Sequence, residues 1–141
     1  MDAILYSDIL AAVISRLTTL IRDRDETFAQ DVTVSDKKAS GADRSIVLSI
    51  GPGGSTTNTI RRSFVTVDVY ANSQTDSVDL MNLALALATS RGADGMVNGS
   101  PLTYAAINGG PNADFASDDQ FKQTAELDIG HRGTNLPSPA N

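Results

Sequence analysis

Cysteine is absent from this 141-residue chain. That removes disulfides, zinc–thiolate sites and thiol nucleophiles together. It fits a reducing cytoplasm. Histidine occurs once, as His131. A Ser-His-Asp triad could use only that residue, and no serine sits in a G-x-S-x-G elbow. Long hydrophobic runs are also missing. None approaches the roughly 18–20 residues that span a bilayer, so no membrane partner is expected. The start of the chain is not of the signal-peptide type. Asp2 stands where a basic region is needed, and Ser7, Asp8, Ser15 and Arg16 break the apolar positions that follow. The protein is expected to stay in the cell that makes it. Basic residues are outnumbered, 11 to 17, for a net charge of −6. An acidic chain repels phosphate, which makes nucleic acid a poor direct partner. Lys37-Lys38 and Arg61-Arg62 are the closest basic clusters, too small for a binding stripe, and read as solvated surface.

What is present suits one domain with a sizeable core. Residues 1–132 read as a single α+β unit, and residues 133–141, with Pro137 and Pro139, as an extended tail without regular structure. Tyr6, Ile9, Leu10, Val13, Leu17, Leu20 and Ile21 recur at spacings of three and four, which predicts a helix from Asp2 to about Arg22. Alternation predicts strands over Gln30–Ser35, Ile46–Ile50 and Ile60–Ala71. Gly51 to Asn58 reads as a loop on its turn chemistry. A second helix follows, capped by Asp76 and closed near Arg91 and Gly92. Two strands end the domain: a short one, Leu102–Ile107, and a long one, Gln120–His131, with Asn108–Asp119 a loop between them. Gln123 breaks the apolar face of the last strand. The predicted fold is α+β, a mainly antiparallel sheet with two helices packed on it, in the order α-β-β-β-α-β-β.

Catalytic and binding signatures are weak. Gly51-Pro52-Gly53-Gly54-Ser55-Thr56 lacks the P-loop spacing and its lysine, and it leads into a strand instead of a helix N-terminus. His131 reads as an exposed strand-end residue. The carboxylates at Asp23, Asp25 and Glu26, and at Asp114, Asp118 and Asp119, do not match a calcium loop and read as solvated loops. Asn98-Gly99-Ser100 fits a glycosylation acceptor pattern, but Pro101 follows it and no signal peptide precedes it. The expectation is a non-enzyme with no cofactor and no metal.

Two features point towards assembly. In the second helix, apolar residues from Val78 to Ala88 cover more circumference than the stripe, about 100° wide, that one sheet buries. The first helix or a neighbouring subunit must cover the excess. The loops are also long, and long loops are usually functional.

The block Ser63-Phe64-Val65-Thr66-Val67-Asp68-Val69-Tyr70-Ala71 leads into Thr75-Asp76-Ser77-Val78-Asp79-Leu80-Met81-Asn82-Leu83-Ala84. With the helix around Ile9-Leu10-Ala11-Ala12-Val13 and the ending Ile129-Gly130-His131-Arg132-Gly133, it resembles the tail terminator (tail completion) proteins of long-tailed bacteriophages. The resemblance runs across most of the chain. The family does not require the glycine-rich loop or the proline-containing tail. The resemblance implies a homohexameric ring that caps the tail tube, stops its polymerisation and presents its other face to the head-side connector. DNA would pass through the lumen without specific binding. The location implied is the head-proximal end of the tail in the virion. On this footing Phe64, Thr66, Tyr70, Leu80, Leu83 and Leu87 are expected at the subunit interface, because of their apolar excess. Gly53, Ser55, Thr57, Asn112 and Asp114 are expected in loops that meet tube or connector. The rival readings are another head–tail neck ring, a small-molecule-binding α+β regulatory domain and, more remotely, a cofactor-independent enzyme.

Overall fold

The computed structural model describes residues 3–57, 60–90, 102–116 and 119–136. In chain order these form β1 (Ala3–Leu5), α1 (Ile9–Arg22), a 3₁₀ turn (Thr27–Ala29), β2 (Val32–Ser35), β3 (Arg44–Ile50), β4 (Ser55–Thr57), β5 (Ile60–Ala71), α2 (Gln74–Thr89), β6 (Leu102–Asp114), β7 (Phe121–Arg132) and β8 (Thr134–Leu136). The fold is α+β. The main sheet runs β2-β3-β5-β7-β6, with β4 paired to the start of β5. Its pairings are antiparallel except β2 with β3. Both helices pack on one face, α1 over β2 and β3, and α2 over β5, β7 and β6.

Strand β5 sits at the centre of the sheet because its period-2 pattern places Val65, Val67 and Val69 on one face. Their register partners on that face are Ile50, Leu48 and Ile46 of β3 and Leu127, Ala125 and Gln123 of β7. Helix α1 answers with Ile9, Val13, Leu17 and Ile21, four residues apart and all buried. Helix α2 contributes Leu80, Met81, Ala84, Leu85 and Ala88. Complete burial of one such large side chain is worth about 1.5–3 kcal/mol. The apolar excess of α2 is met within the chain: α1 lies against α2, and Leu83 and Leu87 pack half-buried onto the common core.

Several boundaries differ from the sequence reading. Helix α1 starts at Ile9, not Asp2, because the Asp8 side chain accepts the Ala11 N–H at 3.1 Å and caps it. The residues before it form β1. The cap of α2 is Ser73, which accepts the Asp76 N–H at 3.1 Å. Asp76 lies in the first turn, where the helix dipole favours a carboxylate, and it holds Arg44 of β3 at 2.9 Å. The expected helix end at Arg91 and Gly92 falls outside the described residues, as do Asn98, Gly99, Ser100 and Asp118. The Gly51–Asn58 loop contains β4. Strand β6 runs on to Asp114, through what reads as a loop. Gly109 and Gly110 lie where its register against β7 shifts, so the glycines mark bulges within a strand and not a turn between strands. The tail is not without structure: Thr134–Leu136 pairs antiparallel with Ala3–Leu5 in a separate two-stranded sheet. Gln123 is buried where the core face runs out, lining a cleft of about 410 Å³ with Gln74, Phe115 and Phe121.

Candidate interaction surfaces

The face of the sheet away from the helices is polar and self-covered. The even-numbered positions of β5 and β7 point there, among them Phe64, Thr66, Asp68, Tyr70, Lys122, Glu126 and Asp128. Asp128 is its anchor, at 8% exposure. It accepts Arg62 Nε at 2.9 and 2.8 Å and the Tyr104 hydroxyl at 3.1 Å. The Arg62 hydrogen bond holds the Asp128 carboxyl below the usual carboxylate range, helped by Tyr104 and opposed by burial. Burial, and next the neighbouring Asp128, push the Tyr104 phenol up. Further along, Lys122 meets Asp114 at 3.2 Å, and Asn108 donates to Glu126 at 2.6 Å.

The predicted interface residues divide between the two faces of the sheet. Phe64, Thr66 and Tyr70 lie on the polar face. Leu80 is fully buried on the other side, and Leu83 and Leu87 are half-buried beside it. They cannot form one patch with the sheet between them. Each polar-face residue also has an internal cover. The Gly51–Gly54 turn folds over Phe64 and Thr66: a Cβ on Gly53 would stand 3.1 Å from the Phe64 ring, and one on Gly51 would stand 3.3 Å from Thr66 Oγ1. Lys38 Nζ sits 4.4 Å from the centroid of the Tyr70 ring, so this lysine is not simply solvated surface. Arg61 and Arg62 are engaged too, with Tyr6 and Asp128 respectively.

The predicted loop contacts also divide, but usefully. Gly53, Ser55 and Thr57 are exposed near the start of β5, where Ser55 pairs with Arg62. Asn112 and Asp114 are exposed near its end, beside Thr124 and Lys122, which pair with Asp68 and Tyr70. About eight residues of strand separate the groups, roughly 26 Å at 3.3 Å per residue. Two sheet edges are open among the described residues, β2 on one side and β6 on the other. Sequence reasoning missed the β6 edge, because its bulges put glycine, asparagine and proline into a strand. Its exposed apolar residues include Ile107, and Phe115 just beyond it is 84% exposed.

His131 departs most from expectation. It is 1% exposed, not a solvated strand end. Its ring meets Tyr6 edge to face, with centroids 5.4 Å apart. No described group hydrogen-bonds either ring nitrogen. The cover comes from the segment before α1, whose strand partner β8 lies beyond the predicted domain end. No spacing rule connects Tyr6 with His131.

No cluster of three or more metal-ligating side chains occurs among the described residues, and no described helix is long and apolar enough to cross a membrane. No protein-family model matches the chain, and a search of curated proteins returns no significant relative.

Proposed function

We propose that this protein is a ring-forming tail terminator of a long-tailed phage, capping the tail tube and joining it to the head-side connector. The observation that carries the reading is the layout of the sheet: one open edge on each side and one exposed strand-and-turn group at each end. A contact between two different edges is heterologous, and heterologous contacts build rings when the rotation closes. The Gly53–Thr57 group and the Asn112–Asp114 group then give the ring two unlike faces, one for the tube and one for the connector. The subunit contact belongs on the β2 and β6 edges, not on the covered residues Phe64, Thr66 and Tyr70 or the core residue Leu80. The acidic balance of the chain suits a lumen through which DNA slides without adhering. Such a protein works at the head-proximal end of the tail and carries out no catalysis.

A small-molecule-binding role has one observation behind it, a polar cleft of about 510 Å³ bordered by Lys38, Gly41, Asp43, Asn72 and Gln120. Three of its polar side chains, Gln120, Asn72 and Asp43, are committed to its own walls. Gln120 Nε2 donates to Ala42 O and to Asn72 Oδ1, both at 3.0 Å, and Asn72 donates to Asp43. The ring reading therefore stands first.

Electron microscopy of the purified protein at high concentration, with mass determination, tests it. Six-fold rings with an open centre are expected, together with binding to tail tubes. A monomer at every concentration that also fails to bind tubes would end this reading. Rings that bind connector and not tube would identify a different neck component.

A further inference from the structure

The two ends of the described chain meet in the β1–β8 sheet, and the route to it passes His131. Beyond Arg132 the chain runs through Gly133, where a Cβ would come within 2.3 Å of Ile4 Cγ2 and 3.2 Å of Tyr6 Cε1. Tyr6 lies over His131 on one side, and the Arg61 guanidinium stacks on the same Tyr6 ring, 4.0 Å from its centroid. Arg61 is also the register partner of His131 on β5. A two-stranded sheet is marginal in water unless something packs on it. Here Tyr6 and His131 tie that sheet to the domain.

We propose that His131 is a proton-operated latch: neutral, it seats Tyr6 and keeps β1 closed on β8; protonated, it expels Tyr6 and opens the terminal clasp. Among the described residues, no anionic side chain is shown against the ring to pair with a new charge. From β5 comes a second cation, Arg61. From the segment before α1 comes the neutral Tyr6 phenol, whose hydroxyl is itself buried without a described partner. From β6 comes Leu102, its register partner. Arg132 is exposed and, by strand alternation, on the opposite face. β8, paired with β1, carries Thr134, Asn135 and Leu136, none of them titratable. Burial, and then the Arg61 charge, depress the imidazole below its ordinary range; the Arg61 backbone opposes this without making a full hydrogen bond. The open form therefore binds a proton more readily than the closed one. Closure is at full strength above the ordinary histidine pKa of about 6.5 and weakens as pH falls below it. The clasp holds whether or not the chain forms rings.

The test is amide hydrogen exchange on the untagged, full-length protein at about pH 7.5 and about pH 5, corrected for intrinsic rates. Protection of Ala3–Leu5 and Thr134–Leu136 is expected to fall roughly tenfold or more at the lower pH, while the central β5 amides stay protected. His131→Phe keeps the packing and cannot be protonated, and its clasp should hold at both pH values. Clasp protection that is unchanged with pH, or a pH-dependent loss that persists in His131→Phe, overturns the proposal. If that variant does not fold, the parent decides. His131 is the sole histidine, so its ring proton resonance is unambiguous. A titration at the ordinary pKa with the clasp still closed overturns the latch, and one shifted downwards together with clasp opening supports it.

Discussion

Arg16 offers the sharpest test of how the two helices are joined. It lies on the buried stripe of α1, at 5% exposure, between Val13 and Leu17. Its guanidinium donates to the Ser90 carbonyl and, at 3.3 Å, to Ser90 Oγ. Ser90 is the C-cap of α2. One helix thus carries the cation that satisfies the end of the other, where the dipole favours positive charge. Arg16→Met retains an apolar stem and removes only the polar head. A hydrogen bond to a charged group is worth about 1.5–3 kcal/mol, and since Ser90 is exposed, water can take up its carbonyl once the guanidinium is gone. The expected loss is therefore at the lower end, about 1.5–2 kcal/mol, a sizeable share of the total for a domain of this size. Ser90→Ala should cost no more than about 0.5 kcal/mol, because the carbonyl remains. Urea unfolding followed by circular dichroism measures both, with unchanged slope and a lower midpoint for Arg16→Met. If Arg16→Met matches the parent within about 0.5 kcal/mol, or Ser90→Ala costs as much, the capping argument is wrong.

Other substitutions probe other parts of the molecule. Gly54 has φ +102, and a Cβ there would meet the Arg62 carbonyl oxygen at 2.4 Å, whereas Gly41, at φ +76, has open space. Gly54→Ala should therefore cost about 2 kcal/mol or more in the same urea assay, and Gly41→Ala closer to about 1 kcal/mol. Asp128→Asn should cost about 1–2 kcal/mol at neutral pH, since Arg62 is partly solvated. The parent's carboxyl is depressed by Arg62, so that stability is present above the ordinary carboxylate pKa of about 3.9 and lost as pH falls through the lower folded value. Melting curves of parent and variant should converge in acid; a gap that stays constant down to about pH 2 contradicts this. Ile107→Lys places a charge on the open β6 edge. It should change monomer stability by less than about 0.5 kcal/mol yet abolish rings in sedimentation velocity; intact rings would move the subunit contact elsewhere.

Periodicity alone determined much of this protein. The valine alternation of β5 located the central strand to its ends, Ile60 and Ala71, and the spacing of Ile9, Val13, Leu17 and Ile21 identified the buried face of α1. These signals are legible because one side chain in two, or one in three or four, must leave water, and that requirement is written locally. The α+β class followed from the same signals. The candidate surfaces were only partly legible. Exposure at Gly53, Ser55, Thr57, Asn112 and Asp114 could be read from turn chemistry, but not that they stand at opposite ends of one sheet. Tertiary structure alone decided that Leu83 and Leu87 pack half-buried onto the common core, that Phe64 lies under a glycine turn on the opposite face, and that Arg16 caps a helix 74 residues away. It alone paired residues 3–5 with 134–136 and buried His131 beneath Tyr6. Each of these depends on contacts between residues far apart in the chain, whose energy comes from surfaces that meet only after the core has formed.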